Sequence, residues 1–237
     1  MNLRLGFFDI DGTLIRRNSR DGLTVKSRSF NHAIEKVFGL KDVDYTALLG
    51  KRIFGLTDKK IMKLCISRYG LTDSDFESRE KELFAAAEEY FREHRMESGV
   101  PDYVPLPGIV DFLEFLAGEG VRLGVVTGNI EMHSRWKLGD CGFDGFFTTG
   151  AYGEDAESRR EILSIALERN SDMPISQTCH FGDSPLDLDA ARWCGTKGVA
   201  VCETGGGTHT REELQAAGYG LVINSWMDRE IIRDYLG

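Results

Sequence analysis

The 237 residues are enough for one large domain or two, and 41% hydrophobic residues can supply a sizeable core. With 29 Lys and Arg against 38 Asp and Glu, the formal net charge of -9 argues against a general binder of nucleic acid or anionic membrane, which needs a basic patch, yet leaves room for one small phosphate in a locally positive pocket. No apolar run is long enough to span a bilayer. The five cysteines, Cys65, Cys141, Cys179, Cys194 and Cys202, are odd in number and contain no Cys-x-x-Cys pair, so buried reduced thiols are expected. With no basic-then-apolar leader at the start, a cytoplasmic protein is the expectation.

Leu3 to Phe8 is short and apolar enough to be a central strand of a parallel sheet. It runs into Asp9-Ile10-Asp11-Gly12-Thr13-Leu14, and because side chains alternate along a strand, Asp9 and Asp11 start on the same face. Gly12 frees the backbone where the chain must turn out of the sheet. Two like charges this close need an answering charge, and a divalent cation such as Mg²⁺, which takes hard oxygen ligands, supplies it. The stretch from Arg16 to Gly22 is polar and suits a hinge or flap. Helical spacing then sets in at Phe30, Ala33, Ile34, Val37 and Phe38, with Gly39 as the stop. A second apolar stripe, Ile61 to Tyr69, follows Thr57 and Asp58 as candidate caps, and Phe76 to Phe91 marks a long amphipathic helix. Nothing from Ser19 to Arg95 reads as a strand.

Pro101, Pro105, Pro107 and Gly108 suit a re-entry hinge. Beyond them helix and strand alternate. Val110 to Leu116 predicts a helix ended by Gly118 to Gly120, and strands are expected at Val121 to Val126, Thr178 to Phe181, Gly198 to Cys202 and Gly220 to Ile223. The pattern predicts an α/β fold with a doubly wound, Rossmann-like parallel sheet, formed by residues 1–15 and 104–237, and an inserted all-α segment over residues 16–103. Thr127-Gly128-Asn129 closes its strand at the edge where open α/β sheets bind ligands, so these three are candidate substrate-binding residues. In Gly182-Asp183-Ser184-Pro185-Leu186-Asp187 the two acids are four apart, which puts them on one helical face.

Asp-Ile-Asp-Gly-Thr-Leu resembles the first motif of the haloacid dehalogenase superfamily, Thr127 is similar to its second, and Gly-Asp-x-x-x-Asp to its fourth. The resemblance covers nearly the whole chain and implies that the helical insertion is a cap gating the site. It implies Asp9 as a nucleophile forming an aspartyl phosphate, Asp11 as general acid and base, Thr127 as a holder of a phosphoryl oxygen, and a Mg²⁺ site made by Asp9, the backbone carbonyl of Asp11, Asp183 and, as a direct or outer ligand, Asp187. The third motif, usually a lone Lys, is placed at Arg159, then at Arg160, with Lys137 and Lys197 behind them; Arg keeps the charge with altered geometry. The implied activity is Mg²⁺-dependent hydrolysis of a small phosphorylated metabolite, with Leu106-Pro107-Gly108 and Gly55-Leu56-Thr57-Asp58 resembling phosphoglycolate phosphatase-like members. A sugar phosphomutase is the alternative within the superfamily, and a non-catalytic phospholigand-binding module the alternative outside enzyme chemistry. Asp11 argues against a dehalogenase. Lys26 and Lys51 carry no mark of a Schiff-base lysine, and Lys51 and Arg52 lie where substrate choice would be made. Oligomeric state is not legible.

Overall fold

Leu5-Gly6-Phe7-Phe8 offers no side chain that belongs in water, and in the computed structural model it forms a fully buried strand, β1 (Leu5–Phe8). The structure describes residues 1–18, 22–53, 55–95, 99, 101–143 and 145–237. Ser19, Arg20 and Asp21 of the expected hinge, and the side chains of Lys51 and Arg52, lie outside the described residues. The chain divides into two compact units, Met1–Arg16 with Tyr103–Gly237, and Arg17–Asp102.

After β1 comes β2 (Ile15–Arg17), which pairs in a two-stranded sheet with β3 (Tyr103–Pro105). Between them, all regular structure among the described residues is helical: α1 (Val25–Phe38), α2 (Tyr45–Leu49), α3 (Asp58–Ser67) and α4 (Asp73–His94), with a short 3₁₀ turn after α2. Each long helix begins on a threonine that caps it: Thr24 Oγ1 accepts from Ser27 N at 3.1 Å, Thr57 Oγ1 from Lys60 N at 3.1 Å, and Thr72 forms a reciprocal capping box with Asp75. Gly39, at φ 69°, ends α1 in the left-handed conformation expected of it. Phe30, Ile34, Phe76, Leu83, Ala87 and Phe91 bury the apolar stripes that the spacing predicts.

The rest of the larger unit continues with α5 (Ile109–Gly118), β4 (Arg122–Val126), α6 (Glu131–Asp140), β5 (Thr149–Ala151), α7 (Arg159–Arg169), β6 (Thr178–Gly182), α8 (Pro185–Cys194), β7 (Lys197–Val201), α9 (Arg211–Ala216), β8 (Leu221–Ile223) and α10 (Arg229–Leu236). Six strands form one sheet in the order β5-β4-β1-β6-β7-β8, each neighbouring pair parallel. The chain builds outward from β1 through β4 to β5, then returns to the other side of β1 for β6, β7 and β8. This is a doubly wound sheet, and its order reverses between β1 and β6, the position at which open α/β sheets form a ligand crevice at the carboxyl ends of their strands.

Alternation along β1 assigns the two faces. Leu5 and Phe7 pack with Val126, Ile162, Leu163, Ala166 and Ala190, so α7 and α8 cover that side. Phe8 joins the other core with Phe112, Leu113, Phe181, Trp226, Ile232 and Leu236, under α5 and α10. There Phe8 and Phe181 stack with ring centroids 4.4 Å apart, across neighbouring strands. Thr149–Ala151, an unexpected strand, forms the edge beside β4. All five cysteines are free, but Cys141 and Cys194 are only partly buried, which corrects the expectation that all would be interior. Among the described residues no helix is long and apolar enough to cross a membrane.

Candidate active site

The reversal of strand order brings three strand ends together. Asp9 follows β1 directly, and its N–H still donates to Phe181 O at 2.9 Å, so the ladder fixes it at the sheet's rim. The chain then turns: Ile10 O accepts from Leu14 N and Ile15 N, and Gly12 N donates to Ile15 O. Gly12 has φ +80°, and a Cβ there would lie 2.2 Å from Asp183 Oδ2, so this turn needs glycine for both conformation and space. Asp183 follows β6, and Ser184 opens α8 as its cap.

Asp9, Asp183 and Asp187 are buried, and one carboxylate oxygen from each lies within 4.8 Å of the others. Arg159, the first residue of α7, is the cation inside this group. Its Nη1 donates to Asp9 Oδ1 at 2.8 Å and lies 3.7 Å from Asp187 Oδ1. Asp187 commits Oδ2 to the α8 cap, accepting from Ser184 Oγ at 2.6 Å and Ser184 N at 3.1 Å. Its Oδ1 makes no hydrogen bond and faces His180 Nε2 at 3.5 Å. Asp183 Oδ2 accepts from Thr208 N at 2.7 Å and from the Thr208 hydroxyl.

The electrostatics follow from this crowding. Burial pushes the Asp9 carboxyl above its ordinary value, and Asp187 and Asp11 add to the rise, outweighing the guanidinium beside it. Burial likewise raises Asp183 well above the carboxylate range, reinforced by Asp9 and Asp187. Asp187 goes the other way: although burial opposes ionisation, the Arg159 charge holds it below the usual range. Three buried acids answered by one guanidinium, with an orphaned carboxylate oxygen among them, fit a hard divalent cation. Asp9, Asp183 and Asp187 are the residues that would hold it.

Asp11 is oriented differently. Its side chain is 42% exposed and stands outside the three-acid cluster, bound through both oxygens by Lys137 Nζ at 2.7 Å. Asn129 Nδ2 also donates to Asp11 Oδ2 at 2.8 Å and to Thr127 Oγ1 at 2.8 Å. Thr127 is fully buried at the end of β4, and because its oxygen accepts these bonds, its own hydroxyl proton is left to donate. Gly128 is the buried residue in the bend between Thr127 and Asn129.

Among the other basic candidates, Arg160 pairs with Asp189 on the exposed side of α7 and stacks on Trp193, and Lys197 donates to Tyr235 O. Lys26, in the helical unit, pairs with buried Asp58 at 2.6 Å. The sequence offered no argument for Thr208 or His180, nor for Lys137 as a partner of Asp11. The Gly205-Gly206-Gly207 run before Thr208 is the available signal, since three glycines allow a loop to fold back closely on a strand end.

The chain is similar in sequence and in fold to several known proteins. A phosphoglycolate phosphatase of Aquifex aeolicus is 25% identical over 199 residues, covering 82% of this chain and 83% of that one. A phosphoglycolate phosphatase of Agrobacterium fabrum is 26% identical over 202 residues, covering 83% and 79%. The crystal structure of a predicted phosphatase from Clostridium acetobutylicum superposes with a TM-score of 0.68 at 20% identity, over 98% of this chain and 99% of that one. The sequence model of the haloacid dehalogenase-like hydrolases matches residues 7–201, a span that begins in β1 and takes in every carboxylate of the crevice. The chain belongs to the haloacid dehalogenase-like hydrolase family.

Proposed function

We propose that the protein is a Mg²⁺-dependent phosphatase that hydrolyses a small phosphate monoester through an aspartyl phosphate on Asp9. The observation that carries this reading is the pairing of a buried carboxylate, Asp9, with Arg159 at 2.8 Å beside two further buried acids. The relatives named as phosphoglycolate phosphatases support the monoester class, and phosphoglycolate is the first ester to try.

Asp9, Asp183 and Asp187 would hold Mg²⁺, which when bound offsets the phosphoryl charge and aligns the phosphorus. An Asp9 oxygen attacks phosphorus, the bond from phosphorus to the ester oxygen breaks, and the departing oxygen takes a proton from Asp11. Water then attacks the same phosphorus and gives its proton to Asp11, and the Asp9 carboxylate leaves. Thr127 donates its hydroxyl to a phosphoryl oxygen. Arg159 keeps a positive charge against Asp9 at every working pH, because Asp9 and Asp187 sustain its protonation despite burial. The helical unit is read as a cap that excludes water and selects the ester.

The test is hydrolysis of 4-nitrophenyl phosphate by the wild type and by Asp9→Asn, each with Mg²⁺ and with chelator. Turnover that requires both Asp9 and the metal is expected. Full activity of Asp9→Asn, or activity indifferent to chelator, would rule the reading out.

A further inference from the structure

Lys137 is the least expected charge in the crevice. It sits in α6 with its side chain 1% exposed, and its ammonium donates to three acceptors: Asp11 Oδ1 and Oδ2 at 2.7 Å each, and Asn129 Oδ1 at 3.0 Å. One N–H is shared between the two oxygens of the Asp11 carboxylate and a second goes to Asn129 Oδ1, so the ammonium is committed to this pair of residues. The same nitrogen lies 4.6 Å from the centroid of the Tyr103 ring, whose face adds a further attraction. As a device for stability this is a poor choice. Taking an ammonium out of water costs several kcal/mol, by order of magnitude, and an apolar side chain of similar volume usually does as well. Its partner is also partly solvated, which weakens the return from the pair.

What the arrangement does supply is orientation. Asp11 is half-exposed at the turn that follows β1. Lys137 grips both of its oxygens, and Asn129 grips one of them while also bonding to Thr127. Lys137 in turn holds the Asn129 carbonyl, which fixes which end of that amide faces Asp11 and Thr127. Each acid at the end of β1 therefore has its own cation, Arg159 on Asp9 and Lys137 on Asp11.

We infer that Lys137 is a positioning residue that, with Asn129, holds the Asp11 carboxyl at the ester oxygen that departs. The contacts seen are those of the ionised carboxylate, and when Asp11 carries its proton one oxygen keeps the Lys137 bond while the other presents the proton, so Lys137 acts on proton delivery rather than on phosphate binding. The assignment rests on the phosphatase reading above. A misaimed general acid matters most when the departing oxygen is basic, because a stable phenolate leaves without a proton.

The experiment compares kcat/KM on phenyl phosphate and 4-nitrophenyl phosphate for the wild type, Lys137→Met and Lys137→Arg, with inhibition by inorganic phosphate measured alongside. Lys137→Met is expected to lose at least about fivefold more on phenyl phosphate than on the nitrophenyl ester, within the range of about 10²–10⁴-fold that general acid catalysis supplies. The loss is expected in kcat, with phosphate inhibition within about twofold of wild type. Lys137→Arg keeps the buried charge but cannot place one nitrogen among the three acceptors, so it is expected to show the same bias at smaller amplitude. If Lys137→Met does not fold, Lys137→Arg is read by the same criterion. Equal losses on the two esters would show a merely structural lysine and overturn the assignment. So would a rise in KM with weakened phosphate inhibition and unchanged kcat, which would make Lys137 a phosphate ligand. A wild type inactive on both esters, or an Asp9→Asn variant as active as wild type, overturns the phosphatase reading and this assignment together.

Discussion

Thr208 and Asp183 are joined twice at one atom: the Thr208 N–H, at 2.7 Å, and the Thr208 hydroxyl both donate to Asp183 Oδ2. The loop after β7 thus decides which way the β6 carboxylate faces. Thr208→Val keeps the shape and the N–H but removes the hydroxyl donor. Loss of a hydrogen bond that orients a metal-binding carboxylate weakens metal affinity by about 10–100-fold. Titration of activity against Mg²⁺ should show a higher half-saturating concentration with little change at saturating metal.

Arg159 and Arg160 are neighbours with opposite surroundings, and the contrast is testable. Arg159→Met leaves Asp9 and Asp187 buried without their guanidinium, so turnover should fall by at least about 10²-fold and stability by about 3–5 kcal/mol. Arg160→Ala removes an exposed pair with Asp189 and should leave kcat within about twofold and stability close to that of the wild type. Steady-state kinetics and urea denaturation of the two variants would check this.

Gly12→Ala should be disproportionately harmful. The left-handed backbone alone costs an alanine about 1–2 kcal/mol, and the added methyl would collide with Asp183 Oδ2 at 2.2 Å. Asp183 must then move off its Thr208 donors. Mg²⁺-dependent turnover should be lost by more than the drop in thermal midpoint explains, measured at a temperature where the variant is folded.

The raised carboxyls give the metal-free protein a pH signature. Asp9 and Asp183 are raised on folding, so their contribution to stability is present below the ordinary carboxylate value and is lost as pH climbs through their elevated ones. Asp187 is lowered, so its contribution is lost only as pH falls beneath the ordinary range. In chelator, the thermal midpoint should therefore decline as pH rises above the usual carboxylate range. Mg²⁺ should reverse that decline and release protons. At a hundred times Kd the stabilisation is about 2.7 kcal/mol, or roughly 5–10 °C for a chain of this size. Differential scanning fluorimetry with chelator and with Mg²⁺, from pH 5 to 8, reads it directly.

Much of the larger unit was legible because most of its strands are short, largely apolar runs. β1, β4, β6, β7 and β8 lie within a residue or two of their expected bounds: the first four are buried along nearly their whole length and announce themselves by composition, and β8, partly buried at the sheet's edge, is marked by the apolar run Leu221-Val222-Ile223. β5 is Thr149-Gly150-Ala151, three small residues held by pairing with β4 at the sheet's edge, and no local pattern marks it. β2 contains Arg16 and Arg17, exposed beyond its first residue, which reads as polar hinge. In the crevice, acids at strand ends could be found because Asp-x-Asp and Gly-Asp-x-x-x-Asp are local patterns. Lys137 meets Asp11 across 126 positions, and Thr208 meets Asp183 from a separate loop, so their partners are set by tertiary packing. Arg159 and Arg160 point about 100° apart at the start of α7, and their place relative to Ile162-Leu163 favours Arg159, but only the packing of α7 shows which of the two faces the acids.

The reversal of strand order between β1 and β6 has a consequence for how the molecule matures. Asp9 and Arg159 are 150 positions apart, and the β1 to β6 pairing that sets the crevice closes only after about three-quarters of the chain is available. An emerging chain carries both acids of its first motif long before anything can neutralise or orient them. Long-range closure of this kind is slow, because the loop entropy is lost before the contacts form. Capture of a divalent cation would thus be a late event that reports completion of the sheet, and a fragment ending before β6 would carry Asp9 without the acids that surround it.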